Sequence, residues 1–162
     1  MDIKEAINFL DEQIKDPKKG LPKEIFHFIS KLTPLPNVEL IINDEKGRIL
    51  LSWRDDIHGR GWHVPGGIIR FKEKIEHRIE KVAEIEIGTN VRFDPEPLAI
   101  KELICEHDIR GHFIAFIYKC YLPENFVINN KGKKENEPGF LRWHDSCPKN
   151  LIKCQEDYKE FM

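Results

Sequence analysis

A double glycine that leads into a helix constrains this chain more than any other feature. In WHVPGG, at residues 62–67, a proline and two glycines interrupt a short strand-like run, so the chain must turn there. Apolar residues then recur at helical spacing, at Ile75, Ile79 and Val82. Gly88 follows them, where helices commonly end in a left-handed conformation. The stretch therefore predicts a strand, a turn and a helix in succession.

One carboxylate of this helix lies on its apolar side. At 100° per residue, Glu86 falls within about 20–40° of the apolar stripe. The other helix carboxylates share the opposite face: Glu76, Glu80 and Glu84. An unpaired carboxylate is costly to bury, and the last helical turn disfavours negative charge. A bound divalent cation would remove both penalties; the alternative is a frayed last turn with Glu86 in water.

The spacing of these residues resembles the Nudix box. In that pattern a glycine is followed by five residues, a glutamate, seven residues, Arg-Glu, two residues, Glu-Glu, one residue and a glycine. The matching positions hold Gly67, Glu73, Glu86 and Gly88. Lys81 replaces the arginine, and Val82 and Ile85 replace two metal-binding glutamates. This departure is similar to the GDP-mannose mannosyl hydrolases, a branch that keeps only the last of the three glutamates.

The resemblance implies the Nudix fold, an α/β/α sandwich with a mixed central sheet, and a hydrolase that uses Mg²⁺ or Mn²⁺. It implies metal ligands at the Gly66 carbonyl and at Glu86. A third ligand is Glu137, six positions before Trp143. Catalytic roles are implied for Glu86 and Glu137, and for His107, which falls near a histidine that assists catalysis in the branch.

The sequence leaves the identity of the general base open. The branch places a histidine where this chain has Pro138, which cannot accept a proton. The candidates are His107, His144, Glu135, and Glu137 acting directly on water.

Two arginines are expected to bind the substrate's phosphates. Arg54 matches the branch's arginine that accompanies the leaving nucleoside diphosphate, and Arg70 lies just after the double glycine. A planar, permanently charged guanidinium suits a phosphate group. For Arg54 the alternative is a surface ion pair with Asp55 or Asp56.

Three functions remain compatible with these residues. The first is hydrolysis of a nucleoside diphosphate-sugar similar to GDP-mannose, with water attacking the anomeric carbon. The second is attack on phosphorus in a nucleoside diphosphate-X or a nucleoside triphosphate. The third is a nucleotide-sugar binding domain with negligible turnover, because two box glutamates are replaced.

Composition narrows the partners to small molecules and copies of the chain itself. A net charge of −2 over 162 residues gives no broad basic field for nucleic acid. No apolar run approaches the roughly 20 residues that span a bilayer. Cys105, Cys120, Cys147 and Cys154 form no CxxC pair, so free thiols and a cytoplasmic location are expected.

The rest of the chain divides into an N-terminal helical extension, 1–32, and the Nudix domain, 33–162. The extension predicts two amphipathic helices, the second with Ile25, Phe28, Ile29 and Leu32 inward. Their stripes pack either on the domain or in a homodimer. Further expectations are a hairpin from 38–42 and 48–53, a loop at 55–61, strands at 98–105 and 112–122, a polar loop at 125–139, and a helix at 151–161.

Overall fold

The computed structural model describes residues 2–56, 59–107 and 109–162, which form three α-helices and eight strands. The helices are α1 (Ile3–Gln13), α2 (Lys23–Ser30) and α3 (Ile75–Val82). The strands are β1 (Leu35–Ile42), β2 (Ile49–Asp56), β3 (Gly59–His63), β4 (Gly66–Ile68), β5 (Arg92–Phe93), β6 (Ala99–Ile104), β7 (His112–Tyr121) and β8 (Leu141–His144). A π-helical turn, Ala83–Ile87, extends α3, and a 3₁₀ segment, Lys153–Phe161, stands where the C-terminal helix is expected.

The central sheet is mixed, as predicted. Its order is β4-β1-β7, and β5 and β6 both pair with the outer edge of β7. β1 and β7 run parallel, and the other pairs are antiparallel. β1 and β7 are apolar over most of their length because both of their faces are covered. A second, antiparallel sheet has the order β3-β2-β8.

The predicted hairpin between 38–42 and 48–53 is wrong. The turn between them is real: the Asp44 carboxylate accepts hydrogen bonds from the backbone N–H groups of Lys46 and Arg48. The strands then separate into different sheets, joined only by the Asn43–Ile49 bridge. β2 instead pairs with β3 and extends to Asp56. Most of the predicted loop at 55–61 is therefore strand, since residues 55–56 belong to β2 and residues 59–61 to β3; residues 57–58 lie outside the described residues.

Two apolar clusters hold the layers together. The first packs α3 against the central sheet, with the side chains of Val38, Leu40, Ile79, Val82 and Ile87 among its members. The second joins the central sheet to the second sheet and the 3₁₀ segment, with Ile41, Leu51, Trp53, Ile117 and Tyr158. Because side chains alternate along a strand, Glu39 lies on the same face of β1 as Ile41, away from α3.

The double glycine is required by close packing. A side chain at Gly66 would collide with the Glu39 carboxylate, which lies against it from the neighbouring strand. A Cβ at Gly67 would lie 2.8 Å from Val82 Cγ2 in α3. The two glycines therefore let an acid approach on one side and the helix on the other.

The end of the α3 region agrees with the sequence prediction. Gly88 adopts a left-handed conformation with φ of 81°, and its N–H donates to the Ala83 carbonyl at 2.9 Å. This bond closes the π-helical turn, a feature found most often at functional sites. Glu86 lies within the turn.

The N-terminal helices are less buried than their patterns predict. α1 has no buried residue, and Ile3 is 81% exposed. In α2 Ile25 is buried, but Phe28 and Leu32 are more than half exposed, so the prediction that they point inward is wrong. Their apolar stripes remain largely uncovered by this chain.

Two cysteines correct the expectation of free thiols. Cys105, at the end of β6, and Cys154, in the 3₁₀ segment, form a disulfide with a Cα–Cα distance of 5.3 Å. Forty-nine residues separate them, so no local spacing signals the pair. Cys120 and Cys147 are free.

No helix within the described residues is long and apolar enough to cross a membrane.

A buried ion pair fixes the loop that enters α3. The Arg78 guanidinium donates to both carboxylate oxygens of Glu73 at 2.8 Å, and these side chains are only 8% and 14% exposed. Glu73 also accepts the Arg70 backbone N–H at 2.9 Å. Lys81, at the arginine position of the box, pairs with Glu84 on the exposed face instead.

Glu73→Ala is expected to lower the free energy of unfolding by about 3 kcal/mol, because it leaves the Arg78 guanidinium buried without its partner. Urea denaturation measures the change. Glu84→Ala is the matched control, since it breaks the exposed pair on the same helix and should change stability by less than about 0.5 kcal/mol. Equal losses of the free energy of unfolding in the two variants would contradict the burial of the ion pair between Glu73 and Arg78.

Candidate active site

A cleft of about 700 Å³ opens beside the double glycine. Its walls come from β1, β2, β3, β4, the loop between β6 and β7, and the start of the 3₁₀ segment. The polar side chains that line it include Asn37, Glu39, Arg54, His63, His107 and Arg110. The Cys105–Cys154 disulfide forms part of the same wall.

Glu39 is the most buried acid of the cleft, with 4% of its surface exposed. Asn37 Nδ2 donates to its carboxylate at 2.6 Å, and Gln155 Nε2 and Tyr158 OH approach at 3.4 Å. Burial raises the pKa of Glu39 well above its ordinary value; the nearby Glu86 raises it further, and Arg54 opposes both. Sequence reasoning missed Glu39, although a lone acid within the apolar run PNVELII was a usable signal.

Glu86 points inward from the π-helical turn, and its side chain is 20% exposed. Burial raises its pKa to about 7, against the opposing influence of Arg54 and of a hydrogen bond from the Gly66 backbone. Its Oε2 atom is buried and has no hydrogen-bond partner among the described residues. Glu39 and Glu86 are thus two like-charged acids, both in contact with Gly66.

His63 ends β3 and is almost fully buried. Its Nδ1 lies 2.8 Å from the Val64 carbonyl, which can only accept, so Nδ1 carries the proton. Nε2 faces Glu86 Oε2 at 3.6 Å. Burial, reinforced by Arg54, lowers the pKa of His63 to about 3, so the imidazole is neutral.

Arg54 lies within β2, which continues past the predicted strand end at Trp53, and it lines the cleft. Its Nε is 3.7 Å from Asp56 Oδ2, which is long for a hydrogen bond. Its positive charge acts on the pKa of both Glu39 and Glu86. The predicted alternative, an ion pair with Asp56, is therefore present but loose.

Arg110 is a second cleft arginine, which sequence reasoning missed. Its guanidinium carbon lies 5.6 Å from the ring centre of Phe26 and 5.7 Å from that of Phe113. Burial and the nearby Arg54 lower its pKa. Its Nε is buried without a hydrogen-bond partner among the described residues. Two guanidinium groups that repel each other across one cleft form an anion site.

His107 lines the cleft and shapes its loop. Its Nδ1 accepts the backbone N–H groups of Ile109 at 3.1 Å and of Arg110 at 2.9 Å. In the neutral ring the proton therefore sits on Nε2, which makes that atom a donor. His107 fixes the backbone that presents Arg110.

Three predicted site residues are not among those that line the cleft: Glu86, which borders it only through Gly66, and Arg70 and Glu137, which lie elsewhere. Arg70 Nη1 donates to the Lys18 carbonyl at 3.2 Å, which ties the box loop to the N-terminal extension. Glu137 accepts the Lys134 backbone N–H at 2.8 Å within its own loop. Neither lines the cleft, and their roles as phosphate-binding residue and metal ligand stay predictions.

The other base candidates are not among the residues that line the cleft, and His144 Nε2 is buried without a hydrogen-bond partner among the described residues. His144 lies with its ring centre 4.5 Å from that of Trp62, and burial lowers its pKa. Glu135 pairs with Arg142 at 2.6 Å.

A divalent cation suits the donors around Gly66, which include two buried acids and one acid oxygen that lacks a partner. Mg²⁺ is commonly held by one or two carboxylates plus substrate phosphates. Among the described residues no group of three or more histidines, cysteines or acids is arranged to hold a metal. Substrate and water oxygens would therefore have to complete the coordination.

Glu86 also borders a second cleft, of about 790 Å³, with the loop that follows β7. Its apolar members include Ile85, 73% exposed, and Val127, 80% exposed. Ile85 occupies a position where the Nudix box has a metal-binding glutamate, so this side of Glu86 offers apolar surface in place of a carboxylate.

Comparison with known proteins finds curated relatives and solved structures that resemble this chain. No family model matches the chain. The low-salt glycan biosynthesis protein Agl8 of Haloferax volcanii is 27% identical over 118 residues, which are 70% of this chain and 75% of that protein.

Solved structures share the fold. A MutT Nudix hydrolase from Burkholderia pseudomallei matches with a TM-score of 0.60 and 22% identity, over 80% of this chain and 98% of that chain. A MutT protein from Methanosarcina mazei matches with a TM-score of 0.58 and 19% identity, over 79% of this chain and 92% of that chain. A UDP-X diphosphatase matches with a TM-score of 0.56 and 20% identity, over 97% of this chain and 86% of that chain. The chain therefore has the Nudix fold.

The raised pKa of Glu86 predicts a pH dependence of stability in metal-free protein. Because the folded-state pKa, about 7, exceeds the ordinary 4.5, protonation of Glu86 stabilises the fold fully below pH 4.5. That stabilisation is lost as the pH rises through 7. Removing the Glu86 charge should raise the free energy of unfolding by on the order of 2–3 kcal/mol at pH 8.

Urea denaturation in EDTA at pH 5 and pH 8 tests this with Glu86→Gln, which should lose much less stability between the two values than the wild type. Glu84→Gln, at an exposed site on the same helix region, should behave as the wild type. An unchanged pH slope in Glu86→Gln would show that the carboxylate is not buried as described.

Proposed function

We propose that this chain is a Mg²⁺-dependent hydrolase of a nucleoside diphosphate-sugar similar to GDP-mannose, with water attacking the anomeric carbon. The observation that carries the proposal is the pairing of two sites in one cleft. Buried acids at Gly66 suit a cation, and Arg54 and Arg110 suit a diphosphate. A substrate with a metal-bound diphosphate meets both requirements.

The comparisons support both halves of the substrate. The relative from Haloferax volcanii is described by its part in glycan biosynthesis, which favours a sugar. A structural neighbour is described as acting on UDP-X, which favours a nucleoside diphosphate.

The cation is assigned to Glu86 and Glu39, with the Gly66 carbonyl and Glu137 as the further ligands that the box resemblance implies. Mn²⁺ is the expected substitute. When bound, such an ion neutralises charge on the diphosphate and stabilises it as a leaving group.

The chain's own residues hold the diphosphate in place. Arg54 and Arg110 bind it from two sides and favour the charge that develops as the anomeric bond breaks. His107 donates through Nε2 to the leaving diphosphate, because its Nδ1 is used by the loop backbone. A catalytic histidine can donate or accept a proton, and His107 is the donor here.

Attack on phosphorus is the second candidate function. A specific observation favours it: Glu39 provides a second buried carboxylate next to Glu86, which raises the number of acids at the site towards that of ordinary Nudix enzymes. A binding domain with negligible turnover is the third, since Val82 and Ile85 stand at glutamate positions of the box.

The proposal extends to assembly and location. The exposed apolar stripe of α1 suits a homodimer. A cytoplasmic location stays a prediction. Its support was the expectation of free thiols, which the Cys105–Cys154 disulfide contradicts, because disulfides are commonest in oxidising compartments.

Hydrolysis of GDP-mannose and of other nucleotide-sugars in ¹⁸O water with Mg²⁺ should place the label in the sugar and leave the nucleoside diphosphate unlabelled. The reason is that water attacks carbon, and both phosphates depart with their own oxygens. Mass spectrometry of the products measures the label.

Label in a phosphate would establish attack on phosphorus, and saturable binding without turnover would establish the third function. Glu86→Gln should lower turnover by at least about 100-fold, in line with the loss of one essential electrostatic group. Glu84→Gln should leave turnover unchanged.

Arg110→Ala is expected to weaken binding of a nucleoside diphosphate by about 10- to 100-fold, because a charge-assisted hydrogen bond contributes about 1.5–3 kcal/mol. Binding of the nucleoside monophosphate should weaken less, so the preference for the diphosphate falls. Isothermal titration calorimetry measures all of these affinities without turnover.

Arg60→Ala is the control, because Arg60 is 70% exposed on β3 and is not among the residues that line the cleft. Equal losses for monophosphate and diphosphate in Arg110→Ala would place Arg110 away from the second phosphate.

A further inference from the structure

Two hydrogen-bond acceptors face each other between the end of β3 and the π-helical turn. His63 Nε2 is unprotonated, because the ring proton is on Nδ1 and is donated to the Val64 carbonyl at 2.8 Å. Glu86 Oε2 lies 3.6 Å from that nitrogen. The side chains are only 5% and 20% exposed.

Among the described residues, no protein donor lies between them. Glu86 Oε2 is buried and lacks any hydrogen-bond partner within the described part of the chain. Arg54, which lines the same cleft as His63, pairs with Asp56 at 3.7 Å instead. Facing lone pairs in a buried setting are unfavourable unless a positive group lies between them.

The distance suits a shared metal ion. Ligand atoms that each lie about 2.1 Å from one ion are roughly 3.0 Å apart at a right angle and about 3.6 Å apart at an angle near 120°. A hydrogen bond from a protonated Glu86 to Nε2 would be expected near 2.7–3.0 Å. The observed 3.6 Å is longer than a direct hydrogen bond, and it is about 0.6 Å from the right-angle separation that an octahedral ion requires, so a small side-chain movement admits the ion.

We propose that His63 is a ligand of the divalent cation, together with Glu86. The imidazole then supplies a donor that the chain lost when Val82 and Ile85 took the places of two box glutamates. This inference shares its site with the proposed function but does not depend on turnover.

A nitrogen ligand changes which metal the site prefers. Imidazole suits transition metals, whereas Mg²⁺ prefers oxygen donors alone. The site should therefore bind Mn²⁺ more tightly than Mg²⁺, and the difference should shrink when the imidazole is removed. The Val64 carbonyl acts as an outer partner that fixes the ring and its tautomer, as is usual for metal-binding histidines.

Pulsed electron paramagnetic resonance of the Mn²⁺-loaded protein, without nucleotide, tests the ligand directly. We expect ¹⁴N modulation from a coordinated imidazole in the wild-type chain. Selective ¹⁵N labelling of histidine should replace the ¹⁴N signal by a ¹⁵N signal. This version of the experiment needs no substitution, so it stands even where a variant fails to fold.

His63→Asn identifies which of the seven histidines is responsible. The asparagine amide can replace the donor to the Val64 carbonyl but has no counterpart of Nε2. The nitrogen signal should disappear, and Mn²⁺ affinity should fall about 10- to 100-fold, with a smaller loss for Mg²⁺. His77→Gln, on the exposed face of α3, should retain both signal and affinity.

The outcomes separate this inference from the proposed function. Bound Mn²⁺ without nitrogen coupling overturns the role of His63, whether or not nucleotide-sugars are hydrolysed, and leaves a proton on Glu86 as the group between the two acceptors. Nitrogen coupling that survives in a folded His63→Asn also overturns it. Nitrogen coupling that His63→Asn abolishes supports it, even if no substrate is turned over and the hydrolase proposal fails.

Discussion

The burial of two acids against one glycine is the constraint on which the rest of the site depends. Glu39 approaches Gly66 from β1, and Glu86 approaches it from the turn after α3. Each acid is costly to bury alone, and together they repel. Asn37, Gln155 and Tyr158 offset part of that cost at Glu39 through hydrogen bonds. Glu86 lacks an equivalent set, so the unbalanced charge is concentrated where the cleft begins.

Local patterns predict the parts of this site that are close in sequence. The helix and its left-handed end at Gly88 follow from spacing alone, because these features depend on one helix and its neighbouring turn, whereas spacing leaves Glu86 open between the buried side and a frayed last turn. The partners of Glu86 do not follow, because they depend on long-range pairing. His63 belongs to β3, Glu39 to β1, and their meeting depends on how the two sheets stack.

The misassigned hairpin shows the same limit. A turn flanked by two apolar runs predicts antiparallel neighbours, yet β1 pairs in parallel with β7, whose residues lie 78 positions further along the chain, as in the pair Leu35 and Phe113. Continuous apolar runs already indicated burial on both faces, a condition that a simple exposed hairpin does not meet. The disulfide and Arg110 were missed for a related reason. Both lie where the loop between β6 and β7 meets distant segments, and neither has a signature in its own neighbourhood.

Arg110 also gives the N-terminal extension a connection to the chemistry. Its guanidinium lies between Phe113 of β7 and Phe26 of α2, and each ring stabilises the charge by a cation–π interaction. Arg70 makes a second link, since it binds the Lys18 carbonyl from the box loop. One of the two aromatic rings that contact Arg110 therefore comes from α2, in the N-terminal extension. The helix α2 thus supports an arginine of the cleft, although none of the residues that line the cleft belongs to the helices before β1 and much of their own apolar surface is exposed.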